Sequence, residues 1–313
     1  MKNFALKEPV FDEVFIGETI GPRRVIADDR FLKQGMFALD DYNPWYMEGL
    51  AESKARIVPS NMILRDLHLM IGYHYDPARM MGLHQREQVS FHRPVLLDTP
   101  MIYEGRFTEK FEKRGKGYVV YEAEAKDERS GEVLVRQVCT EIMRIPEKKP
   151  AEEHGGIDKS GGKRVAGQIP SGPPFAENAH PSLPIGTPIT PLTKFAHQDQ
   201  MSVFSGCDMQ WVNIHTSVDR AYEGGYRDTL LAGLMQTCWV SEMAAKFFGE
   251  KWLHHGRMNH VYLKPVYRGD KIDCWGVVAK LEDQNQADIA LEIWTTNQDG
   301  QMTSAGWAVC AIE

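Results

Sequence analysis

The residues best suited to proton chemistry lie in the second half of the chain, in Phe204-Ser205-Gly206-Cys207-Asp208-Met209-Gln210-Trp211-Val212-Asn213-Ile214-His215. A histidine titrates near neutral pH and can take or return a proton, and a neighbouring aspartate can share or orient that proton. An aspartate alone in such a loop also serves as a turn former, through its side-chain hydrogen bonds. The first half carries Asp41-Tyr42-Asn43-Pro44-Trp45-Tyr46, a comparable polar stretch that ends on tyrosine.

Other chemistries lack their signatures. No GxGxxG follows a strand pattern, and neither a GxxxxGK[ST] loop nor a GxSxG elbow occurs. The five cysteines are dispersed and never form a CxxC pair, which excludes a disulfide framework or a zinc motif readable from spacing. His254, His255 and His260 have no acidic or cysteine partner at ligand spacing, and His68, His74 and His84 read as surface or satisfied core positions, so no metal is expected. With Lys+Arg 36 against Asp+Glu 43 and a net charge of -7, the chain offers no basic face for nucleic acid. No apolar run is long enough to span a bilayer, and the N-terminal residues lack a signal-peptide core, so a soluble cytoplasmic protein is expected.

The elements that must position the candidate residues occur twice. Phe15-Ile16-Gly17-Glu18-Thr19-Ile20 recurs as Leu183-Pro184-Ile185-Gly186-Thr187-Pro188-Ile189, and His92-Arg93-Pro94-Val95 recurs as Leu263-Lys264-Pro265-Val266. The glycines are offset by 169 positions and the prolines by 171, so the chain is a duplicated unit. Each unit places a polar segment (37–46; 204–215) before an apolar helix. The helix residues are Ile63, Leu64, Leu67, Met70 and Ile71 in the first unit, and Leu230, Leu231, Leu234, Met235, Cys238, Trp239, Met243 and Phe247 in the second. Four strand-like runs follow each helix (89–95, 101–107, 117–125, 133–142; 261–266, 271–281, 289–296, 303–311). A Pro/Gly-rich stretch reads as a connector, giving units over 1–147 and 183–313 with a linker over 148–182.

One helix on an antiparallel sheet, twice over, is an α+β plan and resembles the double hotdog fold. The loops carry the resemblance further. Asp41-Tyr42-Asn43-Pro44-Trp45-Tyr46 is similar to the hydratase motif of the MaoC-like (R)-specific enoyl-CoA hydratases, Asp-x-Asn-Pro-hydrophobic-His, with Tyr46 where that family has histidine. The stretch 204–215 resembles the family's Phe-Ser-Gly-Asp-x-Asn-Pro-Ile-His with two extra residues. Counting forward from Ser-Gly makes Asp208 the family's acid, whereas counting back from His215 puts Gln210 there and Asn213 at the proline. The longer loop of the mesaconyl-CoA-hydratase-like branch aligns without a gap and places Asp208 at a threonine and Gln210 at an asparagine. Leu231-Ala232-Gly233-Leu234-Met235 resembles the Ala-His-Gly-Met helix start, with Ala232 in place of histidine and the glycine kept.

The resemblance implies syn hydration of a trans-2-enoyl thioester, or dehydration of an (R)-3-hydroxyacyl thioester, as a step of lipid metabolism. His215 and Asp208 would be catalytic, with Gly233, Asn213, Gln210 and Ala232 at the substrate. Gly233 would admit the thioester, and helix-start amides would hold its enolate oxygen. The first unit would shape the acyl pocket without catalysing. Trp45, Met209 and Trp211 are candidates to line that pocket, though buried packing suits tryptophan equally. Arg257, Lys264 and Arg268 are candidates for CoA phosphates. The expected partner is an acyl-CoA or carrier thioester, with no cofactor, and a homodimer of double-hotdog protomers is an expected assembly. A hotdog thioesterase and a non-catalytic acyl-thioester binder are the alternatives.

Overall fold

The computed structural model describes residues 6–79, 82–145, 165–171, 174–206, 210–281 and 288–312. In the first unit these residues form β1 (Thr19–Ile26), α1 (Asp29–Leu39), α2 (Ser60–Leu69), β2 (Leu83–Phe91), β3 (Pro100–Lys113), β4 (Lys116–Asp127) and β5 (Val133–Met143). In the second they form β6 (Leu192–Phe195), α3 (Gln198–Phe204), α4 (Val218–Glu223), α5 (Gly233–Phe248), α6 (Trp252–His255), β7 (Arg257–Tyr262), β8 (Lys271–Ala279), β9 (Asp288–Asn297) and β10 (Met302–Ala311).

The ten strands make one antiparallel sheet in the order β1-β3-β4-β5-β2-β7-β10-β9-β8-β6. The second half of that order repeats the first in reverse, as two copies of one unit joined at their β2 and β7 edges. The seam pairs Glu87 with His260, Gln88 with Asn259 and Val89 with Met258. Joining there removes two strand edges that would otherwise template association. Above the seam α2 and α5 pack together, with Asn61 Nδ2 donating to the Cys238 carbonyl at 3.2 Å and the Cys238 thiol returning to the Asn61 carbonyl at 3.5 Å. Nearly every side of α5 is buried, as an apolar helix in a shared core requires.

The repeat read from sequence appears as matched backbone geometry. Gly17 and Gly186 both take left-handed φ (85° and 90°), and their N–H groups donate to Phe107 and Val278 on the corresponding strands β3 and β8. Ala27 exchanges bonds with Asp98 and Thr99 as Ala196 does with Gly269 and Asp270.

Six elements were not visible in the hydrophobic pattern: the helices α1, α3, α4 and α6 and the outer strands β1 and β6. The segment expected as a loop from residue 37 begins inside α1, capped by Asp28, whose side chain accepts the Phe31 N–H at 2.8 Å. The expected strands 89–95 and 261–266 lie further back, ending at Phe91 and Tyr262. Pro94 and Pro265 cannot donate to a ladder and disfavour its continuation. Most of the expected linker falls outside the described residues; Gly167 donates to Glu292 on β9, and Ala179 to the Phe247 carbonyl. No helix among the described residues is long and apolar enough to cross a membrane.

Candidate active site

His215 is held by a loop whose hydrogen bonds are local. The Asn213 carboxamide accepts the His215 N–H at 2.9 Å and donates to the Ser205 carbonyl at 2.9 Å, closing the loop that leaves α3. Gln198 on α3 donates to the His215 carbonyl at 3.0 Å and accepts from Thr229 at 2.5 Å. The imidazole Nδ1 lies 2.9 Å from the Leu230 carbonyl oxygen. A carbonyl only accepts, so Nδ1 carries the proton and Nε2 of the neutral ring is the basic nitrogen. Burial lowers the His215 pKa, helped by the positive charge of His84, while the Leu230 carbonyl opposes the shift. The ring is therefore a neutral base at pH 7.

The start of α5 lies beside it. Ala232 is the N-cap residue, and Leu231 donates to the Val266 carbonyl at 2.8 Å, which fixes the approach of the chain. The first-turn N–H groups at Gly233 and Leu234 have no intrahelical acceptor and carry the positive end of the helix dipole. A Cβ on Gly233 would sit 2.9 Å from Cδ2 and 3.0 Å from Cε2 of Tyr262. That ring is anchored through its hydroxyl to Thr237 Oγ1 at 2.6 Å, which also contacts His260 Nδ1 at 2.8 Å. Glycine is needed here because a tethered aromatic ring lies against the helix start.

His215, Asn213, Ala232, Gly233 and Tyr262 line a cavity of about 860 Å³ whose other wall comes from the first unit: Arg65, His68, Gly72, His84 and Glu141. Trp211 closes over it, its ring so near Gly72 that a Cβ there would lie 2.5 Å from the indole. Arg114, Lys116 and Lys264 stand at its more exposed end.

The first-unit wall holds charges. His84 Nε2 is 2.8 Å from Glu87 Oε2, and its Nδ1 is 3.4 Å from Glu141 Oε1. Burial disfavours the His84 cation, but the Glu141 and Glu87 carboxylates outweigh it and push its pKa up to about 9. Burial pushes Glu141 up to about 7, opposed by the His84 charge. His68 stacks on His84 with ring centroids 4.9 Å apart and is held well below its usual value by burial and by that neighbour.

The matching place in the first unit is filled. Ile57 donates to the Trp45 carbonyl as Leu230 does to that of Ile214, so Tyr46 occupies the position of His215. The Tyr46 carbonyl accepts from Arg56, just as that of His215 accepts from Gln198. The Tyr46 hydroxyl donates to Asp41 Oδ2 at 2.6 Å. By the same matching, Val58 and Leu231 are equivalent, and Ser60 stands at the position of Gly233. The space left among Asp41, Tyr46, Glu242 and Trp252 is only about 20 Å³, too small for any acyl group. Burial and the Glu242 charge raise Asp41 to about 6.

No family model and no curated protein matches the chain by sequence. Solved structures do match over nearly the whole chain. A MaoC-like dehydratase superposes with a TM-score of 0.73 at 13% identity, covering 95% of this chain and 98% of its own. A protein from Mycobacterium tuberculosis described as having a double hotdog fold gives 0.63 at 10% identity, over 97% and 98%. The fold is a double hotdog. The full-length peroxisomal multifunctional enzyme type 2 from Drosophila melanogaster gives 0.62 at 17% identity, over 94% of this chain and 48% of that longer one.

Of the residues expected at the site of this double hotdog, His215, Asn213, Ala232 and Gly233 line the one cavity. Asp208 and Met209 lie outside the described residues. Gln210 is exposed, in a left-handed conformation with φ 58°, and is not among the cavity-lining residues. Trp211 lines the cavity and Trp45 its filled counterpart. Of the three basic residues considered for phosphate, only Lys264 reaches the cavity; Arg257 pairs with Asp288 at 2.8 Å and Arg268 with Asp228 at 3.0 Å. The reading of His68 and His84 as surface or satisfied core positions is corrected: both line the cavity, with Glu141. Their spacing along the chain carries no signal, because β2, β5 and α2 bring them together only in three dimensions.

Proposed function

We propose that this double-hotdog protein is a hydro-lyase acting on an acyl thioester, hydrating a trans-2-enoyl group or dehydrating an (R)-3-hydroxyacyl group. The observation that carries the reading is the His215 ring: Nδ1 is tied to the Leu230 carbonyl, and Nε2 is left as a neutral base in the wall of an 860 Å³ cavity. In this mechanism Nε2 takes a proton from water as the oxygen attacks Cβ, and the same face returns a proton to Cα. The thioester oxygen gains negative charge during the attack. First-turn N–H groups of α5 at Gly233 and Leu234 would meet that charge. Asp208, from its place in the sequence, is proposed to share the proton with His215.

The cavity is large enough for an acyl chain of some bulk, and Trp211 gives its wall an aromatic surface. Arg114, Lys116 and Lys264 at the exposed end would meet the phosphates of CoA or of a carrier arm, a local basic patch on an acidic protein. The first unit would supply the acyl wall, its own loop being closed by Tyr46.

The test is a panel of enoyl-CoA substrates followed in parallel by loss of enoyl absorbance and by free-thiol release. Loss of absorbance without thiol release is expected. Thiol release without hydration would establish a thioesterase instead, and inactivity across the panel would leave a binding protein.

A further inference from the structure

Three donor atoms from distant parts of the sequence converge beneath α2. Alternation along β5 puts Gln137, Cys139 and Glu141 on one buried face of the sheet, and α2 lays His68 over it. His68 Nδ1, the Cys139 sulfur and a Glu141 carboxylate oxygen all lie within 4.8 Å of one another, with His68 Nδ1 3.8 Å from Glu141 Oε1. Two of the three lack a hydrogen bond within the chain, although Glu141 Oε1 also lies 3.4 Å from His84 Nδ1. His68 Nδ1 and Glu141 Oε1 are buried and unsatisfied, and Cys139 is a fully buried free thiol. Buried polar atoms are nearly always hydrogen-bonded, so an unpaired imidazole nitrogen facing a carboxylate oxygen beside a thiol is an arrangement that a ligand would satisfy.

The donor set selects the class. One imidazole nitrogen, one sulfur and one carboxylate oxygen suit zinc; calcium or magnesium would demand several oxygens. Tetrahedral zinc at its usual bond lengths holds its donors about 3.3–3.8 Å apart, so side-chain rotation of about 1 Å closes the trio. Charge agrees. The buried neighbourhood contains the carboxylates of Glu87 and Glu141 against the single imidazolium of His84. A divalent cation, with the Cys139 proton released to solvent, would offset the acidic groups gathered there. His84, bridging Glu87 and Glu141, would orient the ligating carboxylate, as outer partners do in metal sites.

We propose that His68, Cys139 and Glu141 form a zinc site in the wall of the cavity, its fourth position open to the space that His68 and Glu141 line. The sequence reading expected no metal because no ligand spacing betrays this set; the site is assembled by β5 and α2 and does not depend on the reaction proposed for His215.

The test uses the intact chain, stripped with a chelator and titrated with Co²⁺. One equivalent is expected to bind, with a near-ultraviolet thiolate-to-cobalt charge-transfer band that Zn²⁺ abolishes by displacement. Cys139→Ser is expected to remove the band, and Glu141→Gln to weaken binding at least ten-fold, in line with about 10–100-fold losses when a metal site is disturbed. Cys274→Ser, remote from the trio, should keep the band. Absence of the band in the stripped wild-type chain overturns the proposal whatever the variants do, and so does a band that survives Cys139→Ser.

Discussion

Replacing Gly233 with alanine tests both the packing and the chemistry at the start of α5. The new Cβ would stand 2.9–3.1 Å from three carbons of the Tyr262 ring, where ordinary contact begins at 3.4 Å. Something must move by about half an ångström, and overpacking of this kind costs about 1–3 kcal/mol. The ring cannot yield freely, because its hydroxyl is held 2.6 Å from Thr237 Oγ1. If it swings away, that bond is lost and the cavity narrows; if the helix start shifts, the Gly233 and Leu234 amides leave their positions. Ser60 carries a Cβ at the matched place in the first unit, so the helix start itself tolerates one and the constraint comes from Tyr262. The melting temperature should fall by a few degrees, at about 2–4 °C per kcal/mol for chains approaching this size. The hydration kcat should fall by about 10²–10³, the usual cost of losing one oxyanion donor. In a Tyr262→Val background, which lacks the ring that the new Cβ meets, Gly233→Ala should cost less in both melting temperature and rate, a coupling that a double-mutant cycle measures. A Gly233→Ala chain with wild-type melting temperature and wild-type kcat would refute the reasoning.

Three further outcomes follow from the same geometry. His215→Ala should lower enoyl hydration by about 10²–10⁴ while circular dichroism stays unchanged, and full retained activity would remove the proposed base. Because burial holds the His215 pKa below its ordinary value of 6.5, the basic form persists on acidification. The rate per substrate should therefore stay flat through pH 7 and fall only as the pH drops through that lowered value; a limb above pH 7 would contradict the assignment. Tyr46→Phe removes the 2.6 Å bond to buried Asp41 and should destabilise the fold by about 1–3 kcal/mol in denaturant titration, with the hydration rate unchanged.

How much of this was legible in the sequence depended on whether the signal was local. Gly17 and Gly186, Pro94 and Pro265, and the apolar spacing in α2 and α5 are local signals, and they located the duplication and both central helices. The edge strands β1 and β6 escaped because an edge strand buries little; of β1, only Ile20 is buried. His215, Asn213 and Gly233 were found because a resemblance of loop and helix start singled them out. His68, His84 and Glu141 were not found, because no periodicity relates residues on a helix, a strand and a neighbouring strand. Their proximity follows from the β2–β5 register, in which His84 faces Glu141.

The seam between β2 and β7 joins strands of two units that only a tether holds on one chain. Its bonds would be the same between the first unit of one molecule and the second unit of another. The tether therefore sets a competition between closure within a chain and exchange between chains. A covalent connection between two binding units supplies an effective concentration on the order of millimolar, so closure prevails at ordinary protein concentrations. A swapped dimer made at high concentration would then carry the same two complete cavities, and a backbone cut in the connector would leave the halves paired.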